Sequence, residues 1–188
     1  MLGTSAAFSW VVFTVATLIT LPRIAPPDAA TDPAVLEQLG ITFLALTTIP
    51  HLPGLDAEGP GLVPLAWRRP HRLRALRVSA HICLSSVLGL SAIALVPASV
   101  DGRQVVGVWA MTWALSLIGL VWRSRRLAAA APLIPVILMG LPGAWPWQAN
   151  LIYNPAYVGA LLLASSLALL IALAYYAWRG AGEDRHPV

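Results

Sequence analysis

Apolar residues gather into six stretches separated by short breaks rich in proline, glycine or arginine. They predict helices at about 5–21, 33–50, 70–97, 104–122, 127–141 and 156–178. A bilayer's hydrocarbon core is crossed by roughly 20 helical residues, with about 17 to 25 as the working range. The first, third, fourth and sixth stretches fit this well. The second carries Glu37 and Gln38, but Asp32 suits a helix cap and Pro33 the first helical position, which puts Glu37 near an interface. The fifth is short and holds Pro132 and Pro135, so a kinked or shortened span is expected. The sixth repeats the start signal, with Asn154 as the cap and Pro155 behind it. The pattern predicts an all-α, polytopic integral membrane protein of about six transmembrane helices, one transmembrane domain over 1–188. A cleaved signal peptide is the rival reading of the first stretch. No positive segment precedes that stretch and Asp28 stands where a small residue is wanted, so a retained helix is expected.

Two of the breaks are distinctive. Residues 51–77 begin rich in proline and glycine, carry Asp56 and Glu58, and end in an arginine run containing Arg68, Arg69, Arg72, Arg74 and Arg77. Pro70 is placed to start a helix that continues into the third span. In that helix Leu73, Leu76 and Ala80 share one face and Arg74, Arg77 and His81 another. Such a protrusion suits a partner protein or simply a layer of lipid headgroups. Residues 142–155 are too apolar for a free loop and too broken for a span, with Trp145, Trp147, Asn150 and Tyr153 among them. They suit either a re-entrant pair of short helices or a loop lying flat on its tryptophans.

Composition agrees with the pattern. Hydrophobic residues make up 58% of the 188-residue chain and charged residues 11%. Soluble domains carry about 25% charged residues, so this chain lacks the polar groups to cover a water-facing surface. All twelve basic residues are arginine. With six spans, the loops after the second and fourth helices and both termini lie on one side. That side holds Arg68, Arg69, Arg72, Arg74, Arg77, Arg123, Arg125, Arg126, Arg179 and Arg185, against Arg23 and Arg103 on the other. Positive charge accumulates on the cytoplasmic side of membrane proteins, so both termini are expected there. The arginine run is then a topology signal before it is anything else, and no nucleic-acid partner is expected. Trp67, Trp122, Tyr175, Tyr176 and Trp178 fall at the cytoplasmic ends, and Trp145, Trp147, Tyr153 and Tyr157 at the outer edge, as interfacial belts.

Little else in the chain suggests chemistry. Cys83 is the one cysteine and sits in an apolar stretch, so a buried, inert thiol is expected. Glu37 and His81 are the ionisable side chains expected inside spans, both near ends and with no partner at ligand spacing. No H-E-x-x-H, G-x-S-x-G, paired acids or P-loop occurs, so no catalytic, cofactor or metal residue is assigned. Ser85 with Gly89 and Ala160 with Ala164 have the spacing of close helix packing.

Taken together, the six spans with both ends inside, the basic segment after the second and the broken apolar segment before the sixth form a layout. It resembles the membrane (permease) subunits of type-2 ATP-binding-cassette exporters, particularly their short actinobacterial forms. The resemblance implies a bacterial plasma-membrane protein working by alternating access with a second permease subunit, identical or different. It implies a separate ATPase subunit that binds ATP and magnesium, with no cofactor in this chain. It also implies that Asp56 to Arg77 form a coupling element on that ATPase, and that Gly143 to Tyr153 are re-entrant. The rival readings are a membrane assembly or scaffold protein with no transport path, and a membrane enzyme of another type.

Overall fold

The computed structural model describes residues 41–42, 44–52, 55, 70–93, 101–122, 125–140 and 146–180. The predicted first span, most of the second, Asp56, Glu58, Arg68, Arg69 and Trp145 lie outside the described residues.

Among the described residues the structure is helical, with no strand. Five α-helices follow in order: α1 Pro70–Ile93, α2 Gly102–Trp122, α3 Arg125–Ala130, α4 Leu133–Gly140 and α5 Val158–Arg179. Single 3-10 turns stand at Ile49–His51, Trp147–Ala149 and Pro155–Tyr157. Two of the helices are long and apolar enough to cross a membrane, α2 and the run Pro155–Arg179 that contains α5.

Local chemistry sets the boundaries. Pro70 opens α1, where its missing N–H costs no bond. Asp101 caps α2: its side chain accepts the Arg103 backbone N–H at 2.8 Å, and the Arg103 guanidinium folds back onto the same carboxylate at 2.8 Å. That guanidinium, then the Arg103 backbone N–H, holds the Asp101 carboxyl below its ordinary range. The predicted fifth span is divided in two. α3 ends at Ala130, the Ala131 N–H makes a last bond to the Leu127 carbonyl, and Pro132 has no N–H to continue the ladder. Asn154 caps the turn before α5 through the Ala156 N–H at 3.0 Å, with Pro155 behind it. Gly180 ends α5 at φ 72°, a conformation that disfavours side chains. A Cβ there would also lie 2.7 Å from the Arg74 guanidinium carbon.

α2 is the central element. It runs antiparallel to α1 and parallel to α5, whose start meets Gly107 and whose end shares a cluster with Leu120 and Val121. Two glycines set the spacing. A Cβ on Gly107 would lie 3.1 Å from Leu161 Cγ, and one on Gly119 only 2.6 Å from the Ala128 Cα. Close backbone approach of this kind is how helices pack where lipid removes the hydrophobic drive between them.

Large apolar side chains are exposed on several helices, and some polar groups are buried within an otherwise apolar core. Leu163 is 75% exposed on α5, with Leu167, Leu170 and Ile171 beside it; Ile134, Ile137 and Leu138 are exposed on α4. On α1 the outward positions are Leu76, Ala80, Cys83, Leu84 and Val87, while Arg74, Arg77 and His81 are half-buried and Ser85 is buried. Cys83 therefore departs from the expected buried thiol, because its turn of α1 points away from α2. Buried polar residues include Thr48, His51, Ser85, Gln104, Thr112, Ser116 and Asn150.

Candidate functional site

Thr48, His51, Ser85 and Ser116 come together where residues 44–52 and Leu55 meet α1, α2 and α5. Ser85 is the junction of α1 with α2: its Oγ accepts the Trp113 indole N–H at 2.8 Å and the Trp109 indole N–H at 3.1 Å. Trp113 is the largest fully buried side chain. One turn toward the N-terminus of α1, His81 Nδ1 lies 3.1 Å from His51 Nδ1. The two imidazoles meet edge to face at 5.3 Å between centroids, and His51 lies 5.7 Å from the Trp113 ring. Its Nε2 is buried with no hydrogen-bond partner. Ser116 on α2 donates to Thr48 at 3.3 Å, and Thr48 and Thr47 donate back to the carbonyls of Ala45 and Leu44. Leu52 and Leu55 are buried beside these groups, and the Tyr176 hydroxyl of α5 donates to the Leu55 carbonyl at 2.6 Å. The segment 51–55 is thus fastened to α1 through His51 and to α5 through Leu55.

The arginines expected to couple to a partner fall at one end of the bundle. Arg72 is exposed, Arg74 rests against Gly180, and Arg77 lies one turn before His81. His71 at the same end touches the Ala177 carbonyl through Nδ1 at 3.1 Å. Arg126 and Arg179 share this end, the latter donating to the Tyr175 hydroxyl at 3.0 Å. Asp101 and Arg103 lie at the opposite end of α2, which is about 31 Å long at 1.5 Å per residue.

The aromatic segment is tied down at that opposite end. Asn150 is buried; its Nδ2 donates to the Met139 carbonyl, and its Oδ1 accepts the backbone N–H groups of Ile152 and Tyr153. Gln104 at the start of α2 donates to the Ile152 carbonyl at 2.8 Å. Tyr153 is buried, with its hydroxyl close over Gly140. Asn150 and Tyr153 therefore hold the end of α4 to the start of α2. An open groove of about 350 Å³ runs between α2 and α5. It is lined by Met111, Leu115, Ala160, Ala164 and other apolar residues, with Ser165 as its polar member.

Sequence reasoning placed Arg74, Arg77 and His81 on one face of α1, and that is the inward face. It did not join His81 to His51, thirty positions away, nor Ser85 to two tryptophans. The available signal was the i, i+4 spacing of His81 with Ser85, which continues the face carrying Arg74 and Arg77. Nothing local marks His51 as its partner. Among the described residues no group of three or more His, Cys, Asp or Glu comes together as a metal site. No family model, curated protein or solved structure matches the chain.

Proposed function

We propose that the protein is a six-span protein of the bacterial plasma membrane with both termini cytoplasmic. We further propose that it serves as the permease-like subunit of an ATP-driven exporter, working with a separate ATPase and a second permease subunit. The observation that carries the membrane reading is the apolar surface of the helices: leucines and isoleucines cover α5 and α4, and α2 and the run Pro155–Arg179 are long and apolar enough to cross a bilayer. The exporter reading draws support from the arginine-bearing start of α1 at the presumptive cytoplasmic end. It also draws on the adjoining segment 51–55, which grips α1 and α5 and offers a mechanical route from a docked ATPase into the bundle. ATP and magnesium would be held by that partner.

One feature favours a membrane scaffold instead. The described interior is filled by Trp113, Leu117, Tyr176 and their neighbours, and the groove between α2 and α5 is open and apolar. A scaffold needs no more than this.

Impermeant thiol labelling in a Cys83→Ser background tests the topology. Cysteines at Ala29 and Gly102 should label from outside, and cysteines at Gly59 and Ala181 should not; external labelling at Gly59 breaks the six-span arrangement. Coupling is tested by Asp56→Ala with Glu58→Ala, and by Arg72→Ala with Arg74→Ala. Either pair should weaken co-purification of an ATPase while membrane abundance stays near normal. Loss of partner capture only in step with abundance rejects the coupling role and leaves the scaffold.

A further inference from the structure

We infer that His51 and His81 form a proton-operated clasp that fastens residues 51–55 to the bundle and opens in acid. The geometry limits how many protons the pair can hold. Two Nδ1 atoms 3.1 Å apart accommodate a single proton between them, one ring donating and the other accepting through its lone pair. In the neutral pair His51 is best placed as the donor. Its Nε2 is then a buried lone pair, whereas the other tautomer would bury an N–H with no acceptor. A proton added to His81 goes to its Nδ1 and forces His51 to exchange its Nδ1–H for an Nε2–H. The contact survives, but His51 now buries an unpaired donor. A second proton places N–H against N–H, with two positive rings in contact, and the clasp cannot stay closed.

Among the described residues the charged groups nearest the pair are positive. On α1, Arg77 lies one turn before His81 and Arg74 one turn further, both half-buried. α2 presents the Trp113 ring, and its residues 104–122 include no ionisable side chain. α5 presents Tyr176, whose hydroxyl holds Leu55. No carboxylate faces the pair among the described residues. Opening the clasp therefore releases His51 from α1, leaving Leu52 and Leu55 held by core packing and by the Tyr176 hydrogen bond. The inference rests on this geometry and not on the exporter reading.

The test uses the full chain in lipid nanodiscs, with 5-fluorotryptophan in place of tryptophan and a nitroxide on Ala57→Cys in a Cys83→Ser background. The Trp113 fluorine resonance is assigned with Trp113→Phe. From about pH 8 to about pH 3, a range that reaches far enough below the ordinary histidine value of about 6.5 for both rings to be protonated, the Trp113 resonance should move as the second proton opens the clasp. Nitroxide mobility should rise at the same midpoint. His81→Gln keeps an amide oxygen to accept the His51 Nδ1–H but cannot take up a proton, so both signals should stay at their neutral-pH values throughout. A wild-type protein in which neither signal moves overturns the clasp, whether or not the variant folds. So does a folded His81→Gln protein that shows the same transition.

Discussion

Ser85→Ala tests whether the interior is held by specific polar contacts or by apolar packing alone. The substitution removes one oxygen and leaves two indole N–H groups facing a methyl. Ser85 and Trp113 are both fully buried, so the Trp113 N–H cannot turn to water, and such an orphaned donor costs about 1–3 kcal/mol. Trp109 is half-buried, and its bond is weighted nearer the bilayer average of about 0.6 kcal/mol. The sum is about 2–4 kcal/mol, the difference between a robust and a marginal protein of this size. Reversible unfolding in mixed micelles, followed by near-ultraviolet circular dichroism, gives the stability. The decisive measurement is the cycle of Ser85→Ala, Trp113→Phe and the double variant. Once Trp113 is phenylalanine, Ser85→Ala should lose most of its effect, a coupling of about 1 kcal/mol or more. Additive losses, or a cost below about 0.5 kcal/mol for Ser85→Ala, would show that the Ser85 junction is incidental.

Other substitutions probe the remaining contacts. Gly119→Ala pushes a methyl into the Ala128 backbone and should cost about 1–3 kcal/mol by forcing α3 away from α2, whereas Gly102→Ala, with open space around it, should leave the thermal midpoint unchanged. Tyr176→Phe removes the donor to the Leu55 carbonyl; about 1 kcal/mol should be lost, and hydrogen exchange should quicken first at residues 51–55. Asn150→Ala deletes three hydrogen bonds and should cost about 2–3 kcal/mol, with the emission of Trp147 reporting the loosened turn in a single-tryptophan variant.

The sequence by itself determined what short-range chemistry decides. An unbroken apolar run can satisfy its backbone bonds only as a helix when water is absent, so α2 and α5 were legible from hydropathy alone. Pro132 marked the division of the fifth stretch because a missing N–H acts within one turn of chain. Asn154 with Pro155 marked the start of the last helix for the same local reason. The face carrying Arg74, Arg77 and His81 was legible too, since helical spacing fixes which side chains lie together. Which way that face points was not. Helical periodicity gives the division of a helix into faces but not the neighbour each face meets, and here the face carrying Arg74, Arg77 and His81 turns inward, which leaves Cys83 exposed. The polar seam was decided only by tertiary structure. His51 meets His81, Tyr176 reaches Leu55 and Ser85 receives two indoles because α1 runs antiparallel to α2, with His51 set against α1 and Leu55 against α5. Contacts between residues 24 to 121 positions apart depend on how the helices are arranged in space, and no local pattern of residues encodes that arrangement.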